Sequence, residues 1–451
     1  MEYYRPVFDD LAKLESFDKI ISIVETIEPH IPKNSQGYDI LSYGYYKAKK
    51  YIKAAECGEL ALSICDTPEG KQALRFNLAK CYQYSNQPKK ALNLLKINNR
   101  VNPKDIDSRI DYCVALYAQG NKPGAGKILR EIQKEDLPEK NRTIVEFNLG
   151  MHDLREGKFK EGMQNLQKGR ALTIWGSSTH NFPIPKWDGI TKPGAKILII
   201  GEGGIGDEFI NCRFVKHFRD RGMVPSWASA HNLSSVMKHL PFEHVLDYKN
   251  FTSDIPTITD YDYWIPGMDL PAVLGVERDE LWYGPYLKTD IGVVAGFPVD
   301  KLKIGIRWSG NPLYEQDLHR TIPLNVLIKT IRENVHGPYQ LYSFQKENNE
   351  QLSEYPEIID LGGRLNTFDH TLEYLDVMDI MISSCTSVAH ASAALGKKTY
   401  IFTPLMAYYT WAEETVGSPW YGDKCKILRQ TIPQSWDAPM EQLGGFLGEY
   451  K

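Results

Sequence analysis

The first 180 residues carry apolar side chains at helical spacing, and small residues recur among them at a regular interval. The small residues stand 34 to 37 positions apart, at Ala54, Ala91, Ala125 and Gly162. Thirteen positions before each stands a large residue: Leu41, Leu78, Tyr112 and Leu149. Because small residues let two helices approach while large ones fill the adjacent space, the pattern predicts four helix–turn–helix units. Gly120 and Gly157 are predicted at tight turns, and an irregular bundle with coincidental spacing is the alternative.

The pattern changes at Trp175–Lys196, a segment rich in Pro, Gly and Ser that is typical of a domain boundary. Beyond it, short continuous apolar runs alternate with helical segments. The predicted strands begin at Lys196, Met223, Lys303, Tyr339, Ile358, Asp379 and Lys397. Runs of this kind are typical of buried parallel strands, and their alternation with helices predicts α/β architecture.

The composition is that of an ordinary globular protein, with 42% hydrophobic and 24% charged residues in 451, and a formal net charge of −4. Because binding to nucleic acid usually requires a basic excess, nucleic acid is not an expected partner. The start of the chain lacks the pattern of a signal peptide, and no apolar run is long enough to cross a bilayer. We expect a cytoplasmic protein, with peripheral contact at the inner membrane face left open.

The cysteines indicate neither a disulfide framework nor a zinc site. They are Cys57, Cys65, Cys81, Cys113, Cys212, Cys385 and Cys425. Their number is odd and no two of them are spaced CxxC, so a reducing compartment is favoured. No other cluster of metal-ligating residues is evident, and no metal is expected.

The first α/β strand leads into a glycine-rich turn, Gly201–Glu208, at the start of a helix. The turn has the form GxGxxG, but dinucleotide binding also requires an acid at the end of the second strand, and none is present near Ala230. NAD is therefore not the expected ligand. Asp207 lies where ligands bind in open α/β sheets, so it either accepts a proton from a substrate hydroxyl or caps the helix.

A second candidate site lies at SSCTS, where the hydroxyls of Ser383, Ser384, Thr386 and Ser387 crowd a helix start directly after a strand. Backbone N–H groups, hydroxyls and the helix dipole together form a cradle for a diphosphate. His390 lies one turn along the same helix face and could donate to a phosphate. Arg307, Arg320 and Lys346 could add cationic donors. The alternative is a capped helix with a half-buried histidine.

Five ordered segments carry a resemblance to the heptosyltransferase-type glycosyltransferases, family nine. They are GEGGIGDEF from Gly201, IGIRWSGNP from Ile304 with HRTIP from His319, LYSFQKE from Leu341, ISSCTSVAHASAALGKKTYIF from Ile382, and GSPWYGDKCKILRQ from Gly417. The N-terminal pattern resembles the tetratricopeptide repeat. A repeat array fused to such a transferase also resembles the protein O-linked N-acetylglucosamine transferases.

The resemblance implies an α-helical solenoid at 1–180 followed by a GT-B domain of two Rossmann-like lobes. The first lobe, at 181–295, is on the acceptor side. The second, at 296–451, binds the nucleotide-sugar donor and ends in a C-terminal helix. It further implies metal-independent transfer to an acceptor hydroxyl, with no cofactor beyond the nucleotide-sugar co-substrate. The acceptor would be a glycan, a lipopolysaccharide or other lipid-linked acceptor, or a protein, and the repeats would offer a surface for a protein partner.

Within this resemblance, Asp207 is the general base, Arg320 matches a cation that is usually Lys in the family, and His390 matches the family histidine. The implied substrate-binding residues are Gly203, Gly204, Gly206, Glu208, Trp308, Ser309, Asn311, Lys346, Ser384, Cys385, Thr386 and Ser387. Cys385 departs from the family, which has Asp at this position to help orient the donor. ADP-heptose is therefore not implied as the donor.

Three alternatives remain open at this point. The same two-lobed fold supports sugar-nucleotide epimerases. The substitution at Cys385 is compatible with an inactive scaffold whose repeats mediate protein–protein interaction. A transferase acting on modified DNA is disfavoured by the acidic charge balance.

Overall fold

The computed structural model describes residues 3–177, 181–247, 258–289, 296–312, 314, 317–413 and 415–450. The chain forms two compact units. The first contains residues 1–135 with the short segments 311–319 and 431–434, and the second contains residues 136–310, 320–430 and 435–451. The predicted boundary at residue 180 does not coincide with this division, and the predicted boundary between the lobes, at residue 295, lies outside the described residues.

Helical hairpins build the first unit. Its helices are α1 (Tyr4–Lys13), α2 (Phe17–Ile27), α3 (Ser35–Lys47), α4 (Tyr51–Ser63), α5 (Pro68–Tyr84), α6 (Pro88–Val101), α7 (Ile106–Ala118) and α8 (Lys122–Ile132). Ala54, Ala91 and Ala125 are buried on the second helices of three successive hairpins. Ala54 and Ala91 lie in one core with Leu41 and Leu78 of the preceding helices, so the predicted helical repeats are confirmed.

The hairpin turns share one backbone conformation. Gly120 and Gly157 have φ of +80° and +77° at the predicted tight turns. Lys49 and Asn86 occupy the equivalent positions of the α3–α4 and α5–α6 hairpins and take φ of +60° and +59°. The turn geometry is therefore common to all four units, although only two of them carry the glycine that accommodates it without strain.

The hairpin of the fourth predicted unit, α9 (Glu139–Arg155) and α10 (Phe159–Lys168), belongs to the second compact unit. Its apolar residues, among them Phe159 and Leu166, share one core with Ile197 and Ile199 of the first α/β strand. This continuous core explains why the compact units divide before the last hairpin rather than after it.

Two mainly parallel sheets form the rest of the second unit. The strands are β1 (Lys196–Ile200), β2 (Val224–Ser229), β3 (Val245–Asp247), β4 (Tyr263–Pro266), β5 (Leu302–Arg307), β6 (Tyr339–Ser343), β7 (Ile358–Asp360), β8 (Ile380–Ser384), β9 (Lys398–Thr403), β10 (Gly417–Ser418) and β11 (Gly422–Arg429). The helices are α11 (Ile205–Asn211), α12 (Val215–Asp220), α13 (Ser234–Met237), α14 (Leu270–Leu274), α16 (Leu324–Asn334), α17 (Phe368–Asp376), α18 (Ser387–Ala394) and α19 (Asp437–Leu447). A short helix, α15 (Asp317–Arg320), begins in the segment 311–319 that is assigned to the first unit.

The strand orders identify both lobes as doubly wound. The first sheet has the order β3-β2-β1-β4 and the second β10-β11-β9-β8-β5-β6-β7. Every pairing is parallel except that of β10 with β11. In such sheets the order reverses beside the first strand, and ligands bind beyond the carboxyl ends of the strands at that point. The predicted fold class is confirmed, and the turns after β1, β5 and β8 lie at these positions.

We predict that Gly150→Ala destabilises the second unit. A Cβ atom at Gly150 would lie 2.7 Å from the backbone nitrogen of Leu166 and 2.8 Å from the carbonyl oxygen of Gly162, so α9 and α10 would have to separate. Overpacking of this kind costs about 1–3 kcal/mol of unfolding free energy. Denaturant unfolding followed by tryptophan fluorescence measures it, because Trp175 and Trp187 lie in the same core.

The matched control is Gly445→Ala, a helical glycine with no atom near the position of its Cβ. That variant should gain about 0.5–1 kcal/mol from helix propensity. Equal effects of the two substitutions would contradict a packing role for Gly150.

Candidate functional site

The glycine-rich turn after β1 places Asp207 in the first turn of α11. The carboxylate is 8% exposed and accepts a hydrogen bond from the Gly204 backbone N–H at 2.8 Å. The Tyr408 hydroxyl donates to the other carboxylate oxygen at 3.1 Å, from a loop of the second lobe after β9. The His231 ring, at the end of β2, contacts the carbonyl oxygen of Gly203 at 2.9 Å. Asp207 caps α11 and also contacts the second lobe. Both interpretations of Asp207, as a proton acceptor and as a helix cap, therefore retain a structural basis.

Burial sets the protonation behaviour of Asp207. Burial raises the pKa of Asp207 to about 6, although the hydrogen bonds from Gly204 and Tyr408 favour the charged form. A carboxylate with this pKa is largely ionised at neutral pH and is a stronger base than an exposed aspartate. This is the behaviour required of a group that accepts a proton from a hydroxyl.

Glu208 stabilises the glycine-rich turn through its buried carboxylate. Its carboxylate, which is buried, accepts hydrogen bonds from the Trp227 indole N–H at 2.9 Å and from the Ala230 backbone N–H at 3.0 Å. A Cβ at Gly201 would lie 2.5 Å from the Glu208 carboxylate, so the glycine provides space for it. Glu208 thus joins the turn to the end of β2.

A buried ionic network fixes the other side of the turn. Arg170, which follows α10, donates to a carboxylate oxygen of Glu202 at 3.0 Å and to Asp269 at 2.8 Å. Lys186 donates to the second oxygen of Asp269 at 2.7 Å, and the Ser177 backbone N–H donates to Glu202 at 2.8 Å. The sequence contained no signal for this network, because its members come from separate segments of the chain.

The second lobe contributes the start of α18. Thr386 is the residue before the helix, and its side chain makes no capping hydrogen bond to the first turn in the described structure. The Ser383 hydroxyl donates to the Ser384 carbonyl at 2.6 Å and lies 3.3 Å from that of Thr386. The Ser384 hydroxyl is buried without a hydrogen-bond partner in the described residues. Ser387 is half-buried in the first turn. The helix start therefore retains donors suited to an anion.

The two helix starts meet at Gly206. A Cβ at this position would lie 2.9 Å from the His390 ring and 3.7 Å from the Cα of Ser387. The glycine therefore allows α11 of the first lobe to pack directly on α18 of the second. Because both helices present their N-terminal ends here, their dipoles add to a positive potential at this junction.

His390 is enclosed in an aromatic site. Its ring stacks on Trp411 with centroids 4.7 Å apart, and its Nδ1 lies 3.0 Å from the Tyr421 hydroxyl. Burial, together with the charge of Arg213, lowers the pKa of His390 to about 3. The ring is therefore neutral at physiological pH, and any hydrogen bond that it donates comes from a neutral N–H.

Arginines surround Cys385. Arg320 donates to the Cys385 carbonyl oxygen at 2.9 Å, next to the start of α18, and its role at a diphosphate stays a prediction. Arg429 donates to the carbonyl oxygens of Trp411 and Glu413, the latter at 2.9 Å. Burial, assisted by the nearby charge of Arg155, lowers the pKa of Arg429 to about 10, while Cys385 acts in the opposite direction. The sequence analysis identified neither Arg155 nor Arg429, although Arg429 lies within the segment GSPWYGDKCKILRQ that begins at Gly417.

Four further predicted residues follow β5 or β6: Trp308, Ser309, Asn311 and Lys346. Trp308 is 1% exposed and packs in the core of the second lobe, and Ser309 is buried with its hydroxyl accepting from the Gln345 amide at 2.7 Å. Lys346 is exposed after β6. Asn311 is exposed and belongs to the first compact unit. Their binding roles stay predictions.

Arg307 supports the strand ends. It donates to the carbonyl oxygens of Ser309 at 3.1 Å and Phe344 at 2.8 Å, and its guanidinium lies 3.6 Å from Glu347. These three contacts join the turn after β5 to the segment that follows β6.

Within the described ranges, no group of three or more His, Cys, Asp and Glu side chains could hold a metal ion. All seven cysteines, each in the described part of the chain, are free thiols. The part of the chain that the structure covers also contains no helix with the length and apolarity of a membrane span.

No family model matches the chain, and no curated protein matches it. Solved structures of two kinds match it. ADP-heptose lipopolysaccharide heptosyltransferase II of E. coli is 10% identical at a TM-score of 0.41, over 56% of this chain and 99% of its own. A glycosyltransferase of family 9 from Veillonella parvula is 10% identical at 0.42, over 59% and 100%. The C-terminal part of a TPR repeat-containing protein from Cytophaga hutchinsonii is 18% identical at 0.29, over 38% and 65%.

The chain thus has structural neighbours among both repeat proteins and family 9 glycosyltransferases, and the resemblance that the motifs predict is confirmed at this level. Identities of 10 to 18% and TM-scores below 0.5 carry no argument about activity. Activity has to be argued from the residues of the chain itself.

We predict that Asp207→Asn stabilises the protein at neutral pH but not in acid. The native pKa of about 6 lies above the unfolded value of about 3.9, so the native state binds more protons between these values and loses stability as the pH rises through them. Asn accepts the same hydrogen bond from Gly204 and carries no charge, so it avoids a penalty of about 1–3 kcal/mol above pH 6.

Thermal unfolding of both proteins between pH 4.5 and 8 measures this difference, with the exposed Asp423→Asn as control. The gain of Asp207→Asn should grow with pH, whereas Asp423→Asn should show no such trend. A loss of stability in Asp207→Asn that grows with pH would instead indicate that the charge of Asp207 stabilises the cap.

Proposed function

We propose that the chain is a glycosyltransferase that moves a sugar from a nucleotide-sugar donor to an acceptor hydroxyl. The observation that supports this most strongly is the junction of Asp207 with the start of α18. A buried carboxylate that can accept a proton lies on the first lobe, and an uncapped helix start flanked by arginines lies against it on the second. A base beside an anion-binding helix start is the arrangement required for transfer from a diphosphate leaving group.

The donor diphosphate is proposed to bind at the start of α18. The backbone N–H groups of the first helical turn and the hydroxyls of Thr386 and Ser387 are the proposed hydrogen-bond donors to it. Arg320 lies at the adjacent Cys385 carbonyl, and Arg429 is a nearby, largely desolvated cation. Arginine contacts diphosphates in a bidentate manner, so the two side chains are suited to neutralise the leaving group.

The acceptor is proposed to bind on the side of Asp207. The acceptor oxygen attacks the anomeric carbon, its proton passes to the Asp207 carboxylate, and the bond from that carbon to the phosphate oxygen breaks with its electron pair on the diphosphate. Tyr408 donates to Asp207 and holds the carboxylate in place. The neutral His390 supports the packing of the two helix starts and, through its remaining N–H, is a candidate donor to the phosphate.

Transfer without a metal and without a further cofactor is part of the proposal. The positive charge that other transferases obtain from a divalent cation comes here from Arg320 and Arg429, with the helix dipole. Cys385 replaces the carboxylate of the family pattern among these cations, so a donor other than ADP-heptose is proposed. The acceptor class, whether glycan, lipid-linked or protein, is not distinguished by these residues.

A panel of UDP-, GDP-, ADP-, CMP- and dTDP-sugars, with NAD as control, tests donor binding by thermal unfolding. A ligand at about 100 times its dissociation constant stabilises by roughly 2.7 kcal/mol, which raises the midpoint by at least a degree or two. One nucleotide class should produce this shift and NAD should not. Arg320→Met should abolish the shift in midpoint. The control Lys301→Met, at an exposed position, should retain it. No shift from any nucleotide would favour the scaffold alternative.

Asp207→Asn should lower kcat by about 10²–10⁴-fold, because general base catalysis contributes about that much. Donor binding should remain, since Asp207 lies on the acceptor side. Steady-state kinetics with the donor identified by the panel, followed by donor titration, separates the two. Loss of both activity and binding would identify Asp207 as a structural cap, and a new sugar nucleotide formed without acceptor would identify an epimerase.

Tyr408→Phe should shift the acidic limb of the kcat profile to higher pH. In the wild type, activity should rise with pH through about 6, as Asp207 ionises. The Tyr408 hydroxyl favours the ionised form, so its removal raises the pKa of Asp207. An unshifted limb in Tyr408→Phe would show that the limb belongs to another group.

A further inference from the structure

The segment that leads to Arg320 is anchored to the helical array. Residues 311–319 belong to the first compact unit, although the residues on both sides of them belong to the second. Within the first unit, the ring of His319 contacts the backbone carbonyl oxygen of Gln83, with its Nε2 atom 3.0 Å away. Gln83 lies in the last turn of α5, so the array holds the chain at the residue directly before Arg320.

The partner of His319 determines which form of the ring makes this contact. A carbonyl oxygen can only accept a hydrogen bond, so the Nε2 atom carries the proton and His319 is the donor. The last four carbonyl groups of a helix have no partner within the helix and carry the negative end of its dipole, which favours a donor there. Burial lowers the pKa of His319, so the neutral ring makes the bond.

A second segment of the first unit is bonded to the same hairpin. Residues 431–434 also belong to that unit, and the Gln434 side-chain amide donates to the backbone carbonyl oxygen of Asn86. Asn86 is the residue of the α5–α6 turn that has a φ of +59°. The end of α5 and the turn that follows it therefore hold two segments that are distant from each other in the chain.

Three consecutive residues, 319 to 321, are bonded to three different elements. His319 donates to the end of α5, and Arg320 donates to the Cys385 carbonyl oxygen at 2.9 Å. The carbonyl oxygen of Thr321 accepts from the Trp436 indole N–H at 3.1 Å. Because the Arg320 guanidinium ends a long and flexible side chain, its position depends on a backbone that is held on both sides. His319 provides the anchor on one side and Thr321 the anchor on the other.

We propose that His319 is a positioning residue, through which the α5–α6 hairpin sets the place of Arg320 and with it the affinity for the donor diphosphate. This role rests on the proposed function, in which Arg320 binds the diphosphate. With the anchor in place, little conformational freedom of Arg320 is lost when a nucleotide binds, and such preorganisation raises affinity. Without the anchor, residues 311–319 keep more freedom, and binding has to order them. The helical array is then part of the support of the donor site.

Two substitutions of His319 separate its hydrogen bond from its packing. Gln carries an amide N–H near the position of the Nε2–H and keeps the bond to Gln83, whereas Phe keeps a ring and has no donor. Isothermal titration calorimetry of the full chain with UDP, GDP, ADP and dTDP measures affinity. For the nucleotide that the wild type binds, His319→Phe should reduce affinity by about three- to tenfold and His319→Gln by less than about twofold. Affinity for the matching nucleoside, which has no phosphate, should change by less than about twofold in both variants.

Hydrogen exchange without nucleotide reports the anchor itself. Mass spectrometry of the peptide that covers residues 317–323 should show faster exchange in His319→Phe than in the wild type. His319→Gln should exchange as the wild type does. The control His336→Phe makes the same substitution at an exposed position after α16, and it should leave both the exchange and the nucleotide affinity unchanged.

Faster exchange together with weaker diphosphate binding in His319→Phe supports the proposal. Unchanged exchange would overturn the anchor, and wild-type nucleotide affinity despite faster exchange would overturn its link to the donor site. Affinity kept by Phe but lost with Gln would assign a packing role instead. If the wild type binds none of the four nucleotides, the proposed function fails, and the donor role of His319 fails with it. Circular dichroism checks folding, and His319→Asn, whose shorter amide does not reach Gln83, replaces His319→Phe if the latter does not fold.

Discussion

The buried ion pairs of Arg170 with Glu202 and Asp269 are the constraint on which the candidate site depends. The three side chains come from the end of the last helical hairpin, the glycine-rich turn and the end of β4, and all are nearly excluded from solvent. Removing one partner of such a network leaves an uncompensated buried charge, which typically costs about 3–5 kcal/mol. Glu202 can therefore take only one position, and the turn that carries Asp207 is fixed with it.

The same constraint explains why the hairpin of the fourth predicted unit belongs to the α/β part of the molecule. Its core residues pack on β1, and Arg170 joins it to the turn after that strand. The hairpin therefore acts as a support for the first lobe.

Arg213 joins the helix after the glycine-rich turn to the second lobe. Its guanidinium is completely buried and donates to the carbonyl oxygens of Ile210, Trp282 and Trp420 and to the Tyr286 hydroxyl. The rings of Tyr286, Trp420 and Tyr421 surround it. Among the described residues it has no carboxylate partner, so carbonyl dipoles and aromatic faces stabilise the charge. Because these groups belong to both lobes, the charge holds Gly206 against His390 and keeps the two helix starts together.

The sequence by itself determined the features that depend on near neighbours in the chain. The repeat interval, the strand sequence, the glycine-rich turn and the hydroxyl-rich start of α18 follow from local periodicity, and Asp207, Thr386 and Ser387 could be identified from it. Only the tertiary structure decided which side chains complete the site: Tyr408, Arg429 and Arg170 reach it from positions that local patterns do not connect, and Tyr408 is 201 residues from its partner. The tertiary structure likewise placed Trp308 in the core and made His390 neutral. Burial and the pKa values that follow from it arise from packing between distant segments, and local sequence patterns do not encode them.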